Sequence, residues 1–106
     1  MTINSESDLE IEVGFYDESG AAIPVPTFDW EIEYYVYSGR SVKASQVNGV
    51  LTNAVAYAGS LRLLFDRPRL GKGVLRCRKT FHIPNVNFQD KIQTIIVESI
   101  TDHILT

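Results

Sequence analysis

The chain has 106 residues, with 44% hydrophobic and 22% charged side chains and a formal net charge of −3. This length predicts a single domain that can bury a core without disulfides or metal ions. The mild negative charge argues against a general nucleic-acid binder, since neutralising phosphates usually needs an excess of Lys and Arg.

The first third of the chain predicts an arm, a strand and a link. Residues 1–7 are polar and predict a flexible arm, and residues 8–106 predict one β-sandwich domain. Apolar and polar residues alternate from Asp8 to Tyr16, which indicates a first strand. The turn chemistry of residues 17–20 ends it. Residues 21–27 carry two prolines at alternate positions, so this piece is at most a sheet edge or an extended link between two sheets.

The strictest alternation runs from Phe28 to Tyr37. One face of this extended segment carries Phe28, Trp30, Ile32, Tyr34 and Val36, and the other carries Asp29, Glu31, Glu33, Tyr35 and Tyr37. A period of two is typical of a half-buried strand. Because the segment holds the only Trp and three of the five Tyr, it predicts the centre of the core.

The middle of the chain predicts a hairpin. Asn48-Gly49 favours a type I′ turn, because both residues tolerate positive φ. Residues 41–46 and 50–56 are the predicted strands on either side of it. Leu61, Leu63 and Phe65 then alternate with other residues and predict a further strand.

The last third predicts two long strands. The loop compositions of residues 66–73 and 84–91 bound the strand 74–83. In residues 92–105 the alternation slips. One side would carry Ile92, Ile96, Ile100 and Ile104 with Glu98 and Asp102, and the other Ile95 and Val97. A β-bulge, or burial of both faces, would explain the slip. The β-branched run 94–97 favours a strand, and an amphipathic helix is the alternative.

The chain therefore contains about seven predicted strands and no convincing helix. Their spacing predicts an all-β fold, an immunoglobulin-like (Greek-key) antiparallel β-sandwich, with a small β-barrel as the alternative. The Cys…Trp…Cys spacing of true immunoglobulin domains is absent, so the prediction concerns architecture only.

No catalytic or ligand motif is recognisable. The sequence has no Gly-rich phosphate loop, nucleophile elbow or His-Glu-x-x-His, and we predict no enzyme activity, no cofactor, no catalytic residues and no metal site. His82 and His103 have no ligand at metal-binding spacing in their own strands. Cys77 is interpreted as a buried structural thiol, with a nucleophile as the alternative. The aligned carboxylates of the central strand are interpreted as a solvated face, with acid–base catalysis as the alternative.

The charges are unevenly distributed. Nine of the thirteen Asp and Glu lie at or before Glu33, and seven of the ten Lys and Arg lie between Arg62 and Lys79. Either acidic and basic strands pair across a sheet, which we favour, or copies of the protein meet head to tail. Tyr and Arg are favoured at interfaces, so Tyr35, Tyr37, Arg76 and Arg78 are the predicted protein-contact residues, unless a second sheet or a loop covers the tyrosines.

Four short motifs carry a resemblance that spans nearly the whole chain. They are the D-x-x-G turn of Asp17 to Gly20, the Tyr34-Tyr35 pair in the aromatic strand, the G-x-G of Gly71 and Gly73, and the I-P-N of Ile83 to Asn85. With them the sequence resembles small β-sandwich proteins encoded among prophage tail genes of gut anaerobic bacteria, and more loosely the N-terminal domain of phage baseplate upper proteins.

The resemblance implies a non-enzymatic structural protein that docks onto other phage tail or baseplate proteins and can form homo-oligomers. It implies a place in the bacterial cytoplasm before assembly and in the virion afterwards. The sequence agrees with this localisation, because it contains neither a secretory signal nor an apolar run of transmembrane length. No nucleic-acid or membrane partner is expected. The alternative function is a carbohydrate- or peptide-binding sandwich, in which Trp30 or the tyrosines would form an exposed stacking platform.

Overall fold

The computed structural model describes residues 2–37 and 39–106. Within these residues the chain forms eleven strands: β1 (Thr2–Ile3), β2 (Leu9–Val13), β3 (Phe15–Tyr16), β4 (Ala22–Ile23), β5 (Trp30–Tyr35), β6 (Ser41–Val47), β7 (Val50–Thr52), β8 (Ala54–Tyr57), β9 (Ser60–Phe65), β10 (Gly73–Pro84) and β11 (Ile92–Leu105). The predicted strand at 92–105 is confirmed, and the helical alternative for it is wrong.

The described strands form two main sheets. One has the order β1-β11-β10-β5-β6-β7 and the other the order β2-β9-β8, while β3 and β4 form a separate hairpin. The predicted all-β sandwich is confirmed. Taking β2, β5, β6, β8, β9, β10 and β11 as strands B, C, C′, D, E, F and G, the sheets read G-F-C-C′ and B-E-D, which is the order of an immunoglobulin variable-type sandwich.

The core lies between the two sheets. Along β5 the buried residues Trp30, Ile32 and Tyr34 alternate with half-buried ones, as a period of two requires. Trp30 and Ile32 have no exposed surface, and neither has Leu63 on the opposing β9. Ring contacts extend the core toward β3 and β10, with ring centroids 5.7 Å apart for Phe15 and Trp30 and 6.4 Å apart for Phe15 and Phe81. The predicted core centre is confirmed.

The predicted hairpin turn is present, but the strand after it divides. Asn48 and Gly49 have φ values of 53° and 80°, as a type I′ turn needs. The predicted strand 50–56 changes sheet at Asn53, where φ is 57°. β7 before this residue pairs with β6, and β8 after it pairs with β9. The Asn53 side chain donates to the Lys43 carbonyl over 2.9 Å, which joins the two sheets at this corner.

The beginning of the chain differs from the predicted arm. Thr2 and Ile3 form β1, which pairs in parallel with Ile104 and Leu105 of β11. The amide of Ser5 donates to the Thr106 carbonyl over 2.9 Å. Residues 2–7 are thus tied to the end of the chain by backbone hydrogen bonds, which their polar composition does not reveal.

Two neighbouring leucines of β9 test the arrangement of the core. We expect Leu63→Ala to lower the free energy of unfolding by about 2–5 kcal/mol, because a buried leucine leaves a cavity. Leu64 points the other way and is 41% exposed, so Leu64→Ala should cost about 1 kcal/mol or less. Urea unfolding followed by Trp30 fluorescence measures both. Equal losses would contradict the assigned faces of β9.

Candidate protein-contact face

The six-stranded sheet turns one face away from the core, and we call it the outer face. On β5 it carries Glu31, Glu33 and Tyr35, which alternate with the buried residues. Arg76 and Arg78 of β10 are paired with Tyr35 and Glu33 in the strand register. Side chains directly opposite each other in an antiparallel pair share a face, so the basic residues of β10 lie beside the acidic and aromatic residues of β5.

The four predicted contact residues come together on this outer face. The Arg76 guanidinium lies 4.3 Å from the centroid of the Tyr37 ring, and that of Arg78 lies 5.5 Å from the Tyr35 ring. Such distances are typical of cation–π contacts. Tyr37 is 82% exposed and Tyr35 is half-buried. We call these four residues the Tyr–Arg cluster. No residue that the structure describes hides Tyr37 from solvent, contrary to the alternative in which a sheet or loop covers both tyrosines.

Arg78 is the electrostatic centre of the outer face. Its Nε donates to Glu98 Oε1 over 2.6 Å and its Nη1 to Glu33 Oε1 over 3.3 Å. Glu98 lies on β11 and Glu33 on β5, so Arg78 bridges three strands. The hydrogen bond and charge of Glu98 raise the pKa of Arg78, and Tyr35 and Glu33 add to this. Arg78 is therefore held in place by partners on both sides.

Part of the uneven charge distribution is accounted for by pairing within the molecule. Besides Arg78, ion pairs join Lys43 to Glu31, Arg62 to Glu10 and Arg69 to Glu6, at N···O distances of 3.5, 2.9 and 3.5 Å. Asp29, the remaining carboxylate of the predicted acidic face, accepts the Asn48 amide over 2.9 Å. These contacts are local pairs within one copy of the chain, as the favoured interpretation expects. They also give each carboxylate of this face a structural partner.

β11 is more exposed than its sequence suggests. On the outer face Ile92, Ile96 and Ile100 are 43%, 60% and 63% exposed. On the inner face Ile95 and Val97 are 37% and 47% exposed. The expected bulge is confirmed by a register shift opposite Val74 to Arg76, but burial of both faces is wrong. The distal part of the β10–β11 hairpin extends past the smaller sheet, and its inner face there borders the β3–β4 hairpin across an open groove.

The outward edge of β11 is also open along most of its length. Within the described residues only β1 pairs with this edge, and it covers Ile104 and Leu105 alone. The His82 amide donates to Asp29 on the β5 side, and the Asn85 amide to Lys91 on the β11 side. Even-numbered residues of β10 therefore bond to β5 and odd-numbered ones to β11. It follows from the ladder pattern that even-numbered residues of β11 point their amides and carbonyls at the open edge.

A second feature is an apolar groove between the β3–β4 hairpin and the distal part of β10–β11. It has a volume of about 330 Å³ and opens to solvent. Its lining includes Phe15, Phe28, Phe81 and Ile83, and the charged residue in the lining is Lys79. Phe28 and Phe81 meet edge to face with centroids 6.4 Å apart. The sequence does not reveal this groove, because its walls come from β3, β4, β10 and β11 and from the segment that joins β4 to β5.

The structure also places the residues that the sequence offered for ligand stacking and metal binding. Trp30 is fully buried, so the stacking platform considered for it is wrong. His82 contacts Thr94, with 3.4 Å between Nδ1 and Oγ1, and His103 lies in the bulge with its Nδ1 buried. No group of three or more His, Cys, Asp or Glu that could hold a metal ion occurs in residues 2–37 and 39–106.

The comparisons with known proteins add no assignment. No family model, no curated protein and no solved structure matches this chain. In the part of the chain that the structure describes, no helix has the length and apolar character needed to cross a membrane. The features of the described residues that could serve a function are the Tyr–Arg cluster, the open β11 edge and the groove.

Cys77 gives a direct test of how the inner face of β10 is packed. Its side chain is 3% exposed, and burial raises the pKa of its thiol. Thiolate is the reactive form, so both effects slow its modification. With a disulfide reagent at mildly alkaline pH, the native thiol should react at least about tenfold more slowly than in denaturant. The added thiol of Val86→Cys, at an 80% exposed loop position, should react at once. A native Cys77 that reacts as fast as it does in denaturant would contradict its buried position.

Proposed function

We propose that this protein is a non-enzymatic structural protein, a component of a phage or prophage tail or baseplate, that docks onto other virion proteins through the Tyr–Arg cluster. The observation that carries the proposal is the gathering of two tyrosines and two arginines on one exposed sheet face. Tyr and Arg are enriched among the residues that dominate binding energy at protein interfaces. The resemblance of the sequence motifs supplies the class of partner.

The cluster is suited to docking because it is already ordered. Arg78 is held between Glu33 and Glu98, and Arg76 lies against the Tyr37 ring. Tyrosine has few rotatable bonds, and the flanking strands β5 and β10 lie inside the sheet. A surface that loses little side-chain freedom on binding keeps more of its contact energy as affinity. These features favour a permanent or repeated contact with a protein surface over a transient catalytic encounter.

Purified tail particles from the bacterial host that carries the gene test the proposal. Quantitative mass spectrometry should find the chain in the particles at fixed stoichiometry. The double variant Tyr37→Ser/Arg76→Ser should lower this amount at least about tenfold, as loss of a central interface pair does. Tyr57 and Arg62 form a second stacked pair, 3.8 Å from cation to ring centroid, on β8 and β9. Tyr57→Ser/Arg62→Ser is therefore the matched control and should leave incorporation unchanged.

Absence of the wild-type chain from tail particles would overturn the structural role. Incorporation that falls equally in both double variants would instead overturn the assignment of docking to the Tyr–Arg cluster. Thermal unfolding of each variant shows whether reduced folding explains a loss.

The apolar groove favours a second candidate, a peptide-binding module. Pockets of roughly 300–1,000 Å³ lined by aromatic side chains with one or a few polar groups are the usual form of a ligand site. Lys79 would pair with an acidic group while Phe81 and its neighbours hold an apolar one. This version needs no exposed Trp.

Anilinonaphthalene sulfonate, an apolar aromatic anion, is a suitable probe of the groove. Its fluorescence should rise on binding, and Lys79→Glu should weaken the binding about tenfold through charge reversal. Lys72→Glu, in the loop before β10, carries the same charge change away from the groove and should bind like the wild type. Binding that is absent, or equally weakened by both variants, would exclude the groove as a site for such ligands.

A further inference from the structure

We infer that two copies of this protein pair antiparallel along β11, around a two-fold axis at Ile96, to make one sheet continuous through both copies. This surface is the strand edge, whereas the proposed docking uses the Tyr–Arg cluster. The two inferences are therefore independent.

The outward edge of β11 carries unpaired backbone groups within the described residues. Thr94, Ile96, Glu98 and Ile100 point their amides and carbonyls away from β10, and no described strand pairs with them. The Ile92 amide instead donates to the side chain of Asp90 over 3.1 Å. A long open edge bearing β-branched apolar residues is a template for pairing with another chain. Natural edge strands are usually short, bulged or charged, and residues 92–100 of β11 contain one charged residue, Glu98.

The length of β11 that can pair with another strand is set by its neighbours. Pairing of β10 with β11 is regular from Ile92 to Ile100, and the bulge follows at residues 101–103. Beyond the bulge, β1 occupies the edge at Ile104 and Leu105. At the other end residues 85–91 form the hairpin loop. The regular open edge is therefore residues 92–100, and its midpoint is Ile96.

The side chains of residues 92–100 are arranged almost symmetrically about Ile96. A two-fold axis perpendicular to the sheet keeps the outer faces on the same side, so even-numbered residues lie opposite even-numbered ones. With the axis at Ile96, Ile92 faces Ile100, Thr94 faces Glu98 and Ile96 faces its own copy. On the inner face Ile95 lies opposite Val97, and Gln93 opposite Ser99. Apolar side chains meet apolar ones at every such position, and polar ones meet polar ones. Cross-strand pairs of this kind stabilise sheets.

Other registers lack this complementarity. An axis at Glu98 puts two glutamates opposite each other, which is unfavourable. An axis at Val97 puts Ile96 opposite Glu98, and an axis at Ile95 puts Ile92 opposite Glu98. The Ile96 register alone among these four separates Glu98 from both its own copy and an isoleucine. The segment 92–100 is thus nearly palindromic in its chemistry.

Pairing in this register places the Tyr–Arg clusters of both copies on the same side of the combined sheet. It also brings the outer-face isoleucines of the two copies side by side, and these are the largest group of exposed apolar side chains on one strand within the described residues. A partner docking on the two clusters would meet a two-fold symmetric, bivalent surface.

Sedimentation velocity from micromolar to millimolar concentration is the first test. The wild type should rise to twice the 11.9 kDa mass of the chain. Ile96→Lys brings two like charges together on the axis and should leave a monomer over the whole range. Val50 lies on β7 at the opposite edge of the same sheet and is 64% exposed, against 60% for Ile96. Val50→Lys is therefore the matched control and should dimerise like the wild type.

Cysteine cross-linking tests the register. On the axis the Cα atoms of Ile96 and its copy would be about 5.5 Å apart, within reach of a disulfide. Thr94 and its copy would be separated by roughly 13 Å along the strand, too far for one. Under mild oxidation Ile96→Cys should form covalent dimers and Thr94→Cys should not. The wild type, whose Cys77 is buried, should not form them either.

Three results would overturn the inference. They are a wild type that stays monomeric at every concentration, a dimer that survives Ile96→Lys, and cross-linking through Thr94→Cys in preference to Ile96→Cys. Tyr37→Ser/Arg76→Ser should still dimerise. Failure of docking would therefore be seen in tail-particle incorporation, and failure of pairing in sedimentation.

Discussion

The pairing of β10 on both of its edges is the constraint on which the rest of the structure depends. β5 binds one edge and β11 the other, in a register that is regular from Arg76 to Phe81 on both sides. This register decides which side chains of β5 enter the core and which lie on the outer face. It also sets Arg78 between two carboxylates. Because β10 is longer than β5, its remaining length carries β11 past the end of the smaller sheet.

Three surfaces with different chemistry follow from that arrangement. The Tyr–Arg cluster lies where β10 pairs with the end of β5. Contacts between the guanidinium groups and the tyrosine rings hold its side chains in place. The open edge lies on β11, where amides and carbonyls of even-numbered residues are not paired with any described strand. The groove lies on the inner side of the same hairpin, where β3 and β4 leave a gap against Phe81. This separation suits the proposed assembly role, because the inferred pairing along the edge would leave the Tyr–Arg cluster free for a second contact.

Much of the fold could be predicted from local patterns. The alternation in Trp30 to Tyr35 fixes which residues are buried, and Asn48-Gly49 fixes a hairpin, since both depend on a few adjacent residues. The same alternation of faces, in two strands that are far apart in the sequence, placed Tyr35 and Tyr37 on one strand face and Arg76 and Arg78 on another. Pairing between those strands brought the four residues together, and the sequence supplied only their faces.

What could not be predicted depends on distant parts of the chain. β1 pairs with the last residues, and no local pattern reports on a partner a hundred residues away. The change of sheet at Asn53 depends on where β6 and β9 lie. The isoleucines of β11 have the composition of a buried strand, but Ile92, Ile96 and Ile100 lie on the outer face, which is turned away from the smaller sheet. The exposure of Ile95 on the inner face depends on where the smaller sheet ends, which no local pattern reveals.

Hydrogen exchange of the β11 amides, resolved by NMR at low and high protein concentration, shows whether the β11 edge is open and whether it pairs with a second copy. Ile95, Val97 and Ser99 should be protected at both concentrations, because their amides bond to β10. Thr94, Ile96 and Glu98 should exchange rapidly in dilute solution and become protected as the concentration rises. Even-numbered amides that stay unprotected at high concentration would contradict pairing along this edge. Protection of even-numbered amides in the dilute monomer would contradict the open edge itself.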